Sequence, residues 1–209
     1  MDHVVEIGHP LVQHHLCKLR DVSTPSAEFR RLTHRLSILL AYEATKDLDL
    51  TTTPVQTPLA RTTGQTLSKR VGLVPILRAG LGMVDPILDL IPDAEVWHLG
   101  FYRDEKTLRP VEYYKKLPSD GAVDVALILD PMLATGGSAV AALEAVRGWG
   151  ARRIKLLSMI AAPEGLRVVQ RAYPETMIYV CAIDSHLNEH GFIVPGLGDA
   201  GDRTFNAHA

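Results

Sequence analysis

The sequence predicts an α/β protein whose central, mostly parallel sheet carries helices on both faces. Two observations carry this prediction. Several short runs, at residues 71–77, 123–129, 154–161 and 177–183, are apolar almost throughout instead of alternating, so they need cover on both faces, as parallel strands do. Between them lie segments with helical spacing, so the second half of the chain reads strand, helix, strand, helix, strand.

The elements follow in order. Ser23-Thr24-Pro25 resembles a helix start, with Thr24 as N-cap and Pro25 in the first turn. Phe29, Leu32, Leu36, Leu39 and Leu40 continue at helical spacing to about Lys46. Residues 51–61, rich in Thr and Pro, predict an extended edge or loop. The apolar run 71–77 is a strand, and 83–91 a helix. Residues 95–101 predict another strand, and 123–129 a continuous apolar one. The alternation ends with a helix at 138–149, a strand at 154–161, a helix at 164–172 and a strand at 177–183. Residues 104–117 are polar and interrupt this rhythm, which predicts a long hairpin or flap, a form lids often take. Open α/β sheets bind ligands at the carboxyl ends of their strands. The chemistry is therefore expected just after Leu77, Phe101, Leu129 and Ile183.

Bulk properties exclude several classes. A chain of 209 residues fits one domain with its own core. A formal net charge of −2 gives no global pull toward nucleic acid or a membrane surface. No apolar run is long enough to span a bilayer, and residues 1–8 lack the basic start of a signal peptide, so a cytoplasmic protein is expected. Cys17 and Cys181 belong to no metal-ligand spacing and read as small buried hydrophobes.

The segment most suggestive of chemistry is Asp130-Pro131-Met132-Leu133-Ala134-Thr135-Gly136-Gly137-Ser138, where an apolar strand gives way to a helix. Two glycines and two hydroxyls at a helix start offer N–H groups to an anion, and the helix dipole adds to the attraction. Asp130 would repel a phosphate, so it serves another part of the ligand. A carboxylate can accept hydrogen bonds from the vicinal hydroxyls of a ribose. The loop lacks the order of a P-loop. An ordinary strand-to-helix turn would also use glycines, and these residues alone leave that alternative open.

Apolar strand, acid, short spacer and Thr-Gly-Gly-Ser resemble the phosphoribosyl-pyrophosphate (PRPP) signature of type I phosphoribosyltransferases. Most of that superfamily has two adjacent acids; here Pro131 follows Asp130, as in the uracil-specific branch. Three further segments are similar to that branch: residues 75–83 (Pro-Ile-Leu-Arg-Ala-Gly-Leu-Gly-Met), residues 161–165 (Ala-Ala-Pro-Glu-Gly), and Asn188-Glu189-His190-Gly191 running on through residues 195–202. The resemblance implies one phosphoribosyltransferase domain over 1–209, with an N-terminal helical arm (1–50), a hairpin flap (104–117) and a C-terminal base-binding hood (184–209). It implies PRPP contacts from Arg78, Arg103, Asp199 and the whole 130–138 loop. It also implies a non-proline cis peptide in the pyrophosphate loop, expected at Arg78-Ala79, and uracil contacts from Ile193, Gly198, Asp199 and Ala200. Backbone groups would read the edge of uracil and reject cytosine, which presents a donor where uracil presents an acceptor.

The implied reaction joins uracil N1 to the ribosyl carbon and releases pyrophosphate, giving UMP. Mg²⁺ would arrive on the pyrophosphate, with no direct protein ligand. Arg78, Asp130 and Asp199 are the candidate catalytic residues, with Asp199 also the candidate general base. Relatives form homodimers or larger homo-oligomers, and some respond to GTP. Two alternatives are a PRPP-binding regulator without catalysis and a transferase for another base.

Two motif matches carry less weight. Gly196-Leu197-Gly198-Asp199-Ala200-Gly201 fits G-x-G-x-x-G, but too little chain follows for a dinucleotide fold. His186-Leu187-Asn188-Glu189-His190 fits H-x-x-E-H, but Gly191 and Pro195 oppose the long helix that a zinc site needs, leaving a turn of helix beside the base pocket.

Overall fold

The computed structural model describes residues 3–103, 110–118 and 121–207. The chain starts with β1 (Val4–Glu6), α1 (Pro10–Arg20) and α2 (Ser26–Ala44), followed by β2 (Leu50–Gln56) and β3 (Arg61–Leu67). Next come β4 (Val71–Leu77), a 3₁₀ turn (Ala79–Met83), α3 (Val84–Leu90), β5 (Glu95–Val96), β6 (Leu99–Arg103) and β7 (Pro110–Lys115). The second half holds β8 (Val125–Leu129), β9 (Met132–Leu133), α4 (Gly137–Trp149), β10 (Arg153–Ala161), α5 (Pro163–Ala172) and β11 (Met177–Ile183). β12 (His186–Leu187), β13 (Ile193–Val194) and α6 (Ala200–Phe205) complete it.

The main sheet runs β1-β11-β10-β8-β4-β6-β7, with β5 alongside β4 and β9 alongside β10. Every pairing is parallel except β6 with β7. The period of two in a strand explains why the central runs are wholly apolar. Along β8, Val125, Leu127 and Leu129 face one core, while Ala126 and Ile128 face the other. The first core lies under α1, α2 and α3 and includes Leu16, Leu36 and Ile87. The second lies under α4 and α5 and includes Leu143 and Leu166. Both faces are thus covered, as the sequence predicts.

Several expectations need correction. The N-terminal segment is not purely helical, because β1 forms the edge of the sheet against β11. Thr24 does not cap α2. Its hydroxyl donates to the Lys18 carbonyl at 2.6 Å, closing the end of α1, and Pro25 takes the N-cap position. Residues 95–101 split into β5 and β6, both beside β4. Residues 51–61 belong to the antiparallel hairpin β2–β3, paired from Leu50↔Leu67 to Gln56↔Arg61 and almost wholly exposed. Thr57 Oγ1 accepts the N–H groups of Leu59 and Ala60 and so closes its turn. Residues 186–190 form β12 and the start of the turn that leads to β13, not a turn of helix, with Asn188 Oδ1 accepting from His190 and Phe192. Cys181 is buried, and burial pushes its thiol up to about 12, but Cys17 is exposed on α1. No helix among the described residues is long and apolar enough to cross a membrane.

Candidate active site

The sheet brings the carboxyl ends of β4, β6 and β8 side by side, and Arg78, Asp130, Ser138, Asp199 and Ala200 of the predicted set meet there. Asp130 follows the last residue of β8. Its backbone N–H is held by Leu157 O of β10 at 3.2 Å, which fixes the acid at the rim of the sheet. Its Oδ1 accepts the Met132 N–H at 3.3 Å. No cation neutralises this carboxyl among the described residues. Burial pushes its pKa up to about 7, against the smaller opposing pull of the Met132 N–H.

The residues after Asp130 form the expected cradle. Pro131 O accepts from Met159 and Ile160, and β9 pairs with β10 through Met132 and Leu133, so the loop is tied to the sheet. Ala134 and Thr135 lead into Gly136, which sits at the N-cap of α4 with φ 83°. Gly137 begins the helix and Ser138 follows. A Cβ on Gly136 would lie 2.9 Å from Gly165 O of α5, and a Cβ on Gly165 would overlap Ala134 O. The close seat of α5 against the loop therefore requires both glycines. A hollow of about 130 Å³ lies inside the loop, against Asp130, Thr135, Gly136 and Ser138.

A second hollow of about 250 Å³ adjoins it and shares Asp130, Met132 and Ser138. Arg78, Asp199 and Ala200 line it as well. Larger hollows exist elsewhere, including one of about 390 Å³ beside Arg153. They lack the combination of helix N-terminus, unneutralised acid and exposed arginine, so size does not decide the site. Among the described residues, no three His, Cys, Asp or Glu side chains gather as a metal-holding group.

Arg78 follows β4. The cis peptide lies at Leu77-Arg78, one bond before the expected Arg78-Ala79. The Arg78 side chain is 60% exposed, and its Nη2 reaches Asp202 Oδ1 at 3.2 Å. Asp202 is a partner that sequence reasoning missed, although it lies within the C-terminal motif. Arg103 ends β6, opposite Pro110 in β7, with its side chain outside the described residues. Residues 104–109 of the predicted flap also lie outside the described residues. The described part pairs β6 with β7, and Tyr113 lies close over Gly100, where a Cβ would strike its ring.

The C-terminal segment reaches the same hollow only at Asp199, Ala200 and Gly201; Ile193 and Gly198 are not part of its lining. Ile193 is buried in β13, and Val194-Pro195 is cis. Gly196 and Gly198 have φ 67° and 76°, left-handed values that suit glycine. Asp199 is the N-cap of α6, its Oδ1 accepting the Asp202 N–H at 2.9 Å. Ala200 starts that helix. Glu164, in the first turn of α5, supports the hood by accepting the Leu187 N–H at 3.3 Å, a contact with no signature in the sequence. The backbone N–H donors nearby hold the Glu164 carboxyl below the usual carboxylate range.

Comparison with known proteins agrees with this geometry. The family model described as uracil phosphoribosyltransferase matches residues 6–207. The uracil phosphoribosyltransferase of Roseiflexus sp. (strain RS-1) is 60% identical over 205 residues, 98% of this chain and 99% of that protein. The solved structure of the AQ2163 protein from Aquifex aeolicus superposes with a TM-score of 0.93 at 38% identity, covering 99% of both chains. Adenine phosphoribosyltransferase from Leishmania donovani, at 15% identity, shares the fold alone, with a TM-score of 0.60 over 90% of this chain and 86% of that one. The sheet order, the cradle after β8 and the family match along nearly the whole chain lead to one assignment: this chain belongs to the uracil phosphoribosyltransferase family.

Proposed function

We propose that the hollow at the ends of β4 and β8 carries out the family reaction, in which uracil and PRPP give UMP and pyrophosphate. The observation that supports this reading is the meeting of Arg78, Asp130 and Asp199 in one hollow that opens into the Gly136 cradle. The cradle holds the 5-phosphate of the donor with the N–H groups of residues 135–138 and the hydroxyls of Thr135 and Ser138. Asp130 accepts hydrogen bonds from the ribose hydroxyls. Arg78 swings from Asp202 to the pyrophosphate, where its forked donors meet two oxygens. Arg103 plays the same part from β6.

Uracil lies under the hood, read by backbone groups of Ile193, Gly198 and Ala200. In the reaction the N1–C1 bond forms as the C1–O bond to pyrophosphate breaks, and the N1 proton leaves the base. Asp199 is the candidate acceptor, since only its Oδ1 is engaged among the described residues. Mg²⁺ on the pyrophosphate supplies positive charge to the leaving group. Closure of the β6–β7 flap would exclude water, which otherwise hydrolyses the donor.

The same reading takes the chain as one catalytic domain in a cytoplasmic homo-oligomer, with GTP as an effector; these features rest on the family resemblance. The test is incubation with PRPP, Mg²⁺ and uracil, cytosine, hypoxanthine or adenine in turn, measuring nucleotide and pyrophosphate. UMP from uracil alone is expected. Product from another base would overturn the assignment of the pocket, and donor binding without any product would favour a regulatory protein.

A further inference from the structure

Two arginines outside the hollow grip the backbone of the proposed uracil loop from behind. Arg20, the last residue of α1, places Nη1 2.7 Å from Asp184 Oδ2 and 2.7 Å from Gly196 O, with Nη2 2.5 Å from Asp184 Oδ1. Asp184 Oδ2 also accepts the Gly196 N–H at 2.9 Å. The Asp184 side chain is 4% exposed and that of Arg20 22%, so water competes little for this bidentate pair. Together the two side chains bind both backbone polar groups of Gly196.

Arg203 of α6 grips the next residue. Its Nη1 donates to Leu197 O at 2.7 Å and Leu19 O at 2.9 Å, and its Nη2 donates to Asp21 O at 2.5 Å. Its guanidinium lies over the Phe29 ring, 4.5 Å from the centroid. The loop is thereby tied to the turn between α1 and α2 at two successive carbonyls.

The peptide unit is planar, and in its trans form the C=O and N–H point in opposite directions. The only cis bond in this loop precedes Pro195. Holding Gly196 O and Leu197 O against the arginines therefore turns the N–H groups of Leu197 and Gly198 to the other side of the strip. The Gly198 N–H makes no hydrogen bond among the described residues. We infer that Arg20, with Asp184, and Arg203 are positioning residues for the base: they fix two peptide planes so that the Gly198 N–H stands ready for uracil before it arrives. The inference rests on the proposed uracil contacts. Preorganised donors bind more tightly because the ordering cost is met on folding.

The test compares Arg20→Ala, Arg20→Lys and Asp184→Asn with the parent chain, reading KM for uracil, KM for PRPP, kcat and melting temperature. Arg20→Ala is expected to raise the uracil KM about ten-fold or more, the worth of one well-aligned hydrogen bond to a buried edge. Lys keeps the charge on a single nitrogen but loses the fork that Arg20 sets on Asp184, and should fall between. The PRPP KM should stay within about two-fold, because the 130–138 loop lies outside the clamp. A purely structural role would lower melting and move both KM values together, which overturns the inference, as does an unchanged uracil KM in Arg20→Ala. Asp184→Asn preserves shape and supplies the answer if Arg20→Ala does not fold. Gly198→Ala separates the two readings. If it leaves the uracil KM unchanged, the base site itself is misassigned; if it raises that KM while the Arg20 and Asp184 variants do not, only the clamp fails.

Discussion

Asp130 should cost stability in the free protein, and removing its charge should recover that stability in a pH-dependent way. The carboxyl stands part-buried at the sheet rim with one N–H donor and no cation among the described residues, and burial raises its pKa from 3.8 to about 7. At about 1.4 kcal/mol per pH unit that rise corresponds to roughly 4 kcal/mol against the ionised form. Water reaching one side of the carboxyl reduces this to about 2 kcal/mol. The sign follows from proton binding. Between pH 4 and about 7 the folded state holds a proton that the unfolded state has lost, so stability falls as pH rises through this window.

Asp130→Asn lacks the titrating group and keeps an acceptor for the Met132 N–H. It should match the parent near pH 4 and exceed it by about 2 kcal/mol at pH 8, a rise in melting temperature of roughly 4 to 8 °C. Urea and thermal unfolding at pH 4.5, 6 and 8 measure this directly. The same variant should lose most of its activity, because a ribose that donates two hydroxyls meets an amide with a single acceptor oxygen. In the parent, the KM for PRPP should fall as pH rises through about 7, as the acceptor form of Asp130 accumulates. An Asn variant no more stable than the parent at pH 8, or one whose gain is the same at pH 4.5, would refute the reasoning.

Other outcomes follow from the same structure. Arg78→Ala should cost under about 1 kcal/mol of stability, because its ion pair is exposed, yet raise the PRPP KM about ten-fold or more; denaturation and steady-state kinetics separate the two. Gly165→Ala drives a methyl into Ala134 O, so about 1 to 3 kcal/mol of destabilisation is expected, together with a raised PRPP KM and an unchanged uracil KM. Lys155 is buried in β10 and held by the Asp47 carboxylate and Ala44 O at the end of α2. Asp47→Ala should cost about 2 kcal/mol in urea melts, whereas Lys155→Met, which removes the charge altogether, should cost less.

The sheet was readable because both of its faces are buried. That condition writes uninterrupted apolar runs into the chain, and β4, β8, β10 and β11 appear in the sequence as they stand in the fold. The elements that the sequence leaves open or misplaces lack such a condition. β2 and β3 face solvent on nearly every residue, so no apolar period distinguishes a hairpin from a loop. β1 is three residues long and gains its identity from pairing with residues more than 170 positions away. Thr24 has the right chemistry for an N-cap, but its hydroxyl found the Lys18 carbonyl first.

The site divides along the same physical line. The cradle after β8 is local: acid, glycines and hydroxyls lie within nine residues, and the φ of Gly136 and the contact with Gly165 explain why the chain keeps glycine there. Arg20 carries no comparable mark, because its partners Asp184 and Gly196 lie 164 and 176 residues away. Asp202 had a motif around it but no assigned partner until the fold brought Arg78 beside it. Groups meant to touch phosphate cluster in sequence because a helix N-terminus is a local structure. Groups that aim a loop can come from anywhere the chain passes, since all they require is a carbonyl within reach. Positioning residues are therefore the part of such a site that a motif conceals, and a substitution such as Arg20→Lys, conservative on paper, should be felt at the base and hardly at the donor.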